Sequence, residues 1–136
     1  MPVRPDAQPE SQAAPEQLIW PVVRLVLSFL AIARSSPMLK LVTCLLVDAI
    51  GFGSFLLPGL GETFDIAWAP LQAAFLQYMF GSIRMTAIGF FEELFPGTDF
   101  VPSATLGWMA ENVDASAMEG LRSFTGVARR SRPRRA

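Results

Sequence analysis

The chain has 136 residues, of which 51% are hydrophobic and 17% are charged, and its formal net charge is −1. In typical soluble domains about a quarter of the residues are charged, so the lower charged fraction of this chain favours a membrane protein. The absence of histidine excludes Ser-His and Cys-His nucleophilic systems and imidazole metal sites. The single cysteine, Cys44, excludes an internal disulfide and a thiolate metal cage, and its apolar neighbours predict a buried, inert thiol.

Charge is unevenly distributed along the chain. Between Pro37 and Gly120, Lys40 and Arg84 are the only basic residues, whereas acidic residues are frequent. The C-terminal segment is rich in basic residues, namely Arg129, Arg130, Arg132, Arg134 and Arg135. Because no aromatic residues are interleaved with these arginines, we expect no specific nucleic-acid binding. Contact with anionic lipid or with an acidic partner surface fits the pattern better.

The first apolar segment follows an extended arm. Residues 1–17 are rich in Pro, Gln and Ala and lack the apolar run of a signal peptide. Over residues 18–35, Arg24 and Ser28 fall on one helical face and Leu25 and Phe29 on another. We predict an amphipathic helix at a membrane interface, with Trp20 and Arg24 contacting lipid or a partner. A buried helix of a soluble core has the same pattern.

Two long apolar segments come next and predict a membrane hairpin. The run Ser35-Ser36-Pro37 breaks the first helix. Residues 41–61 then contain a single charge, Asp48, and residues 66–83 contain none. Both segments are long enough to cross a hydrocarbon layer about 30 Å thick. Pro58-Gly59 separates them.

The apolar body contains an internal repeat with an offset of 38 residues. Residues 49–59 and 87–97 are identical at seven of eleven positions, including AIGF and the Pro-Gly pair, which recurs as Pro96-Gly97. The second copy is shorter and reads as half-helices or a re-entrant hairpin. We therefore predict an all-α fold, a small integral membrane helical bundle. Its duplicated helix–Pro-Gly–helix domain covers residues 38–113, and a polar, Arg-rich tail covers 114–136. Gly51, Gly53 and Gly89 are predicted to permit close helix contact.

Acidic residues cluster around the two Pro-Gly breaks. The cluster comprises Asp48, Glu62, Asp65, Glu92, Glu93 and Asp99. It predicts either a cation or proton site of hard oxygen ligands, or acids that cap the returning helices. Capping does not account for Asp48, for which pairing with Arg84 or Lys40 or donation by the protonated acid is an alternative. It does not account for Glu92-Glu93 either, and only one of these two consecutive side chains is expected to face the bundle interior.

Aromatic residues supply a further candidate surface. Trp68 and Trp108 occur in the two returning segments, and the chain contains eleven phenylalanines. Such residues are typical of membrane-interface anchors and of a hydrophobic core. We therefore expect no intrinsic cofactor and at most peripheral contacts with pigment or lipid. Without histidine, a pigment would need water, a carbonyl, Gln72, Gln77 or a carboxylate as its ligand. No metal site is predicted.

The body resembles a family of small uncharacterised membrane proteins of bacteria and plastid-bearing algae. The resemblance rests on DAIG at 48–51, LPGLGE at 57–62, DIAWAP at 65–70, FEELFPGTD at 91–99 and VPSAT at 101–105. It implies membrane residence, in a plastid thylakoid or a bacterial inner membrane, and no established activity.

These observations lead to two alternative functions. The first is a non-catalytic accessory subunit of a larger membrane complex, photosynthetic if the plastid resemblance holds, with other membrane subunits and lipids as partners. The second is a small cation- or proton-coupled carrier or channel that uses the clustered carboxylates. No nucleophile–base pair is present to indicate an enzyme.

Overall fold

The computed structural model describes residues 15–55, 60–95, 98 and 100–131, and for residues 15–18, 54–55 and 60–62 it describes the backbone only. This part of the chain forms helices and no strand, which confirms the predicted all-α class. The helices are α1 (Pro15–Ser35), α2 (Pro37–Phe55), α3 (Leu60–Phe80), α4 (Ile83–Leu94), α5 (Ser103–Asn112) and α6 (Ala117–Thr125). The predicted breaks at Pro58-Gly59 and Pro96-Gly97 lie outside the described residues.

The chain divides into two compact units, Met1–Ile32 and Ala33–Ala136. The first unit contains most of α1, so the predicted helix over residues 18–35 is confirmed as a helix. Its side chains from residue 19 to residue 29 are exposed, including Trp20 at 62% and Leu25 at 71%.

The junction between α1 and α2 lies at the predicted break. Ser36 precedes α2 and accepts a hydrogen bond from the Leu39 amide through its Oγ at 3.5 Å. Pro37 occupies the first helical position, where a missing N–H is harmless and the fixed φ suits a helix. A serine cap followed by proline therefore ends one helix and starts the next.

A glycine and a serine separate α3 from α4. Gly81 has a φ of 63°, a left-handed conformation that glycine adopts without strain, and its amide bonds the Gln77 carbonyl at 2.9 Å. Ser82 then caps α4 through a 3.4 Å bond from the Met85 amide. These two residues reverse the chain, so that α4 packs against α3.

Four helices of the second unit pack in antiparallel order. Helix α2 contacts α3 and α5, and α4 contacts α3 and α5. The 12 residues of α4 and the 10 residues of α5 rise about 18 Å and 15 Å, so the second copy of the repeat is shorter than the first, as predicted.

None of the helices in the described parts of the chain combines the length and the hydropathy needed to cross a bilayer. The membrane crossings at residues 41–61 and 66–83 stay predictions.

Small residues hold the helices close together. Ala33, Cys44, Ala69, Ala104 and Ala110 are fully buried, which confirms the predicted burial of the cysteine. A Cβ on Gly89 would lie 2.2 Å from Leu76 Cδ1, and one on Gly51 would lie 2.7 Å from Glu93 Oε1. The prediction of close contact is confirmed for these two glycines. For Gly53 no close contact is seen among the described residues, because none of their atoms lies within 4 Å of a Cβ built there.

The segment after α5 contains a helix that the sequence pattern does not predict. Helix α6 packs against α5 and α4 and ends at Gly126, whose φ of 68° is left-handed. The Ser82 hydroxyl donates to the Thr125 carbonyl at 2.5 Å, and Val127 is only 3% exposed. The first part of the predicted polar tail is thus docked on the helical core.

Candidate functional site

The structure describes four acids of the predicted cluster: Asp48, Asp65, Glu92 and Glu93. The Glu62 side chain, Asp99 and the Pro-Gly pairs lie outside the described residues. Asp65, near the start of α3, is 7% exposed, and Glu92 and Glu93, at the end of α4, are 7% and 4% exposed. The described acids at the helix ends are therefore buried within the bundle and do not face outward.

Asp48 caps a helix other than its own. Its Oδ1 accepts the Ala104 amide at 3.0 Å and its Oδ2 accepts the Thr105 amide at 2.8 Å. Pro102 precedes α5 and supplies no side-chain cap, so the carboxylate from α2 takes that role. The expectation that capping cannot explain Asp48 is wrong, because a helix N-terminus distant in sequence lies beside it. Neither Lys40 nor Arg84 is its partner.

Both consecutive glutamates are buried. That only one of the two side chains points directly at the bundle interior stays a prediction. Glu93 reaches toward α2, where its Oε1 lies over Gly51. The Thr98 hydroxyl bonds the Glu92 backbone carbonyl at 2.5 Å.

Gln72 connects the two copies of the repeat. Its Oε1 accepts the Trp68 indole N–H at 2.9 Å, and its Nε2 lies 3.3 Å from Ser103 Oγ. A Cβ on Gly51 would lie 3.6 Å from its Oε1, and a Cβ on Gly89 would lie 3.6 Å from its Nε2. These glycines are the equivalent positions of the repeat, so one buried amide fits between two matching gaps in the helix surfaces.

We call Asp48, Gln72, Glu93 and Ser103 the polar core. Hydrogen bonds link Gln72 to Ser103, and the next two backbone amides of α5 bind Asp48. Within the described residues, no group of three or more Asp, Glu, Cys or His side chains is placed to hold a metal ion. The polar core thus joins α2, α3 and α5 through hydrogen bonds.

A buried lysine organises the opposite end of the bundle. Lys40 is 1% exposed, and its Nζ donates to Glu111 Oε2 at 2.5 Å and to the Met79 carbonyl at 2.7 Å. The same Nζ lies 4.3 Å from the centre of the Phe80 ring. Burial lowers the pKa of Lys40 from its ordinary 10.5, and the Glu111 carboxylate opposes that change.

Two arginines bind the carboxyl ends of other helices. Arg122 of α6 donates through Nε to the Ala110 carbonyl at 2.7 Å and through Nη2 to the Val113 carbonyl at 2.5 Å. Arg84 of α4 donates to the Ser123 carbonyl of α6 at 2.7 Å. Because helix C-termini expose unpaired carbonyls with partial negative charge, cations are favoured there.

The residues predicted to contact lipid or partners lie in several settings. Trp20 and Arg24 are exposed on α1, and Trp68 is part of the bonding around Gln72. Trp108 donates to the Pro37 carbonyl at 2.8 Å. The two tail arginines are also held: Arg129 pairs with Asp114 at 2.6 Å, and Arg130 donates to the Ser35 carbonyl at 2.6 Å.

Together these contacts divide the second unit into two ends of different charge. The basic end holds all the basic residues described in this unit, and the acidic end holds none. The basic end comprises Arg34, Lys40, Arg84, Arg122, Arg129 and Arg130, with Glu111, Asp114 and Glu119 among them. The acidic end comprises Asp48, Asp65, Glu92 and Glu93.

Sequence reasoning missed Gln72 as a core residue and Lys40–Glu111 as an ion pair. Gln72 could have been found from the sequence, because it is one of only two glutamines in the uncharged run 66–83, and a polar side chain in such a run indicates a buried hydrogen bond. Lys40 and Glu111 are 71 residues apart, and no local pattern joins them.

Comparison with known proteins yields a distant relative. A protein of Dictyostelium discoideum, described as an uncharacterised transmembrane protein, is 30% identical over 89 residues. The match covers 65% of this chain and 43% of that protein, so the chain spans less than half the length of this relative. No family model matches the chain, and no solved structure matches it either.

Proposed function

We propose that this chain is a membrane-embedded, non-catalytic accessory subunit of a larger membrane assembly. The observation that carries the proposal is the inverted distribution of side chains. Lys40, Glu92 and Glu93 are buried, whereas large apolar side chains are exposed on α2, α3 and α4. In the second unit the most exposed large apolar residues are Ile83 at 74%, Phe100 at 69%, Phe124 at 69%, Met38 at 68%, Ile66 at 68% and Leu71 at 61%.

We expect the exposed apolar side chains to be shielded from water by lipid or by other proteins. Exposed apolar patches beyond a few hundred Å² mark contacts with lipid or with other proteins. Inside, the helices meet through alanine, glycine and hydrogen-bonded polar groups, as is typical of helix packing in lipid. Lipid tails and neighbouring subunits would share the exterior.

The Dictyostelium relative supports the membrane part of the proposal, because it is described as transmembrane. The basic end would face the cytoplasm or an equivalent compartment, following the positive-inside tendency. A thylakoid or bacterial inner membrane, and a photosynthetic complex in particular, are predictions from the family resemblance alone. Purification from native membranes, with mass spectrometry of the proteins retained, identifies the assembly.

Site-specific photo-crosslinking tests the proposal. A photoreactive residue at Ile66 or at Ile83 is exposed, and the same residue at the fully buried Leu76 is the matched control. In native membranes we expect protein adducts from the exposed positions and none from Leu76. Lipid adducts alone would contradict an accessory subunit, and the absence of adducts to lipid or protein would contradict membrane embedding as well.

A second candidate function is a small proton- or cation-coupled carrier, favoured by the burial of Glu93 beside Gln72 and Ser103. Its test is proton or cation flux in vesicles that contain the purified chain. Glu93→Gln should abolish flux, and Glu119→Gln, an exposed acid outside the polar core, should not. The absence of flux from the unmodified chain would remove this candidate. The subunit is preferred because Asp48, Gln72 and Ser103 have structural hydrogen-bond partners.

A further inference from the structure

A cleft of about 440 Å³ opens at the basic end of the bundle. It is lined by the first residue of α2, by the end of α5 and by the segment after α6. The lining residues that matter are Pro37, Trp108, Asn112, Asp114, Arg129 and Arg130. Neither the polar core nor the Lys40 ion pair uses this cleft.

The cleft carries a net positive charge, and its arginines have further N–H donors available. Arg129 and Arg130 are opposed by one acid, Asp114, which is 53% exposed. The bonds to Asp114 and to the Ser35 carbonyl each use the Nη2 of one guanidinium. Since a guanidinium has five N–H donors, further donors are available to an anion, and phosphate oxygens suit their planar geometry. The arginines of the tail, from Arg132 onward, add charge in the adjoining sequence.

An exposed apolar strip begins at the edge of this cleft. Pro37 lines the cleft and is followed on α2 by Met38, Val42 and Leu45, which are 68%, 49% and 49% exposed. Their spacing of four and three residues places them on one helical face. The strip from Met38 to Leu45 rises about 10 Å along the helix. Trp108 stands at the junction, with its indole bonded to the Pro37 carbonyl, in the position that interfacial tryptophans favour.

We propose that this cleft binds the phosphate headgroup of an anionic phospholipid, whose acyl chain lies along the Met38–Val42–Leu45 strip. The inference rests on the proposed membrane residence. A charged cleft continuous with an apolar strip matches a molecule with an anionic head and an apolar tail. A soluble phosphate would use the cleft only, and an acidic peptide would leave the strip uncovered.

The test counts lipids retained by the full-length chain in native mass spectrometry. The chain is extracted from vesicles of phosphatidylcholine alone, or of phosphatidylcholine with a minor share of phosphatidylglycerol. We expect one retained phosphatidylglycerol. Arg129→Gln/Arg130→Gln should lower its occupancy more than fivefold, about the factor that one basic residue contributes at an anionic surface. Asp114→Asn, which removes the opposing acid, should lower about fivefold the share of phosphatidylglycerol in the vesicles at which half of the chains retain this lipid.

The control is Arg132→Gln/Arg134→Gln, which removes the same charge from the adjoining tail. An equal loss in this control would overturn the site, because it would show non-specific attraction. Competition by inorganic phosphate or soluble glycerophosphate as strong as that by the lipid would overturn the role of the strip. The single variant Arg129→Gln guards against misfolding, since its only described bond is an exposed ion pair. An unchanged occupancy in this variant, with unchanged helical circular dichroism, would also count against the site.

The two proposals fail in different ways. If the chain does not associate with vesicles of either composition, the membrane proposal itself is wrong. If it enters both kinds of vesicle equally and retains no phosphatidylglycerol, only the lipid site is wrong.

Discussion

At both the basic end and the acidic end of the second unit, charged side chains bind unpaired backbone groups at helix ends, but the charges are opposite. At the basic end, Lys40 and Arg122 bind carbonyls at the ends of α3 and α5. At the acidic end, Asp48 binds the first amides of α5. Helix C-termini carry partial negative charge and N-termini partial positive charge, so a cation suits the free carbonyls and a carboxylate suits the free amides. Each end of an antiparallel bundle contains both kinds of helix terminus, so the type of cap is set by the individual terminus and helix polarity alone does not produce the charge segregation.

The ends differ in how the charges are compensated. Lys40 meets a full opposite charge, Glu111, whereas the Asp48 carboxylate accepts the uncharged backbone amides of Ala104 and Thr105. Removing one member of a buried ion pair leaves an uncompensated charge, which costs more than losing a cap. Substitutions at the basic end should therefore have the larger effects.

The largest effect is expected for Lys40→Ala. It leaves Glu111 and the Met79 carbonyl without their donor, and we expect a loss of about 3–5 kcal/mol in the free energy of unfolding. Denaturant titration in detergent micelles, followed by circular dichroism, measures it. The double variant Lys40→Met/Glu111→Leu should recover most of the loss, and Arg24→Ala on the exposed face of α1 should change little. A loss below about 1 kcal/mol for Lys40→Ala would show that the pair is not buried in solution.

A smaller effect is expected between the two ends, where Gly89 lies against Leu76. Gly89→Ala places a methyl group 2.2 Å from the Cδ1 of Leu76, a fully buried side chain. We expect overpacking to cost about 1–3 kcal/mol. Gly53→Ala is the matched control, because no described atom lies within 4 Å of a Cβ built there, and it should stabilise α2 by up to about 1 kcal/mol. Equal effects of the two substitutions would contradict the helix contact at Gly89.

Capping at the acidic end should be worth less. Asp48→Ala removes both acceptors at the N-terminus of α5, and we expect a loss of about 0.5–2 kcal/mol, the range for a helix cap. Hydrogen exchange of the Ala104 and Thr105 amides should accelerate specifically. Asp48→Asn keeps one carbonyl acceptor and should lose less than Asp48→Ala. Unchanged exchange at these two amides would rule out the cap.

The smallest effect concerns pH. The pKa of Lys40 in the fold lies below its ordinary 10.5, mainly because of burial, so the unfolded chain binds the proton more tightly. Between the lowered pKa and 10.5, the unfolded state holds more protons, and the contribution of Lys40 to stability rises with pH. The unfolding free energy of the wild type should therefore rise relative to Lys40→Met/Glu111→Leu as alkaline pH approaches 10.5. A relative fall would mean that Glu111 outweighs burial.

Local patterns in the sequence predicted the first helices of the chain and part of the helix packing. The Ser36-Pro37 signal places the start of α2, and the recurrence of AIGF identifies Gly51 and Gly89 as matching sites of close contact. The repeat also indicates that α4 and α5 are the shorter pair. Helix α6 escaped prediction because its sequence is polar overall, and its docking depends on Ser82 and Arg84, which are about 40 residues away.

The helical class, the apolar character of the chain and the uneven placement of its charges follow from the sequence, since these depend on composition and short-range periodicity. The bonding partners of the charged residues follow only from the tertiary structure. Asp48 caps a helix that begins 55 residues later, and Lys40 pairs with a residue 71 positions away. Such partners are chosen by the antiparallel packing of helix ends, which brings carbonyls, amides and side chains together regardless of their separation along the chain.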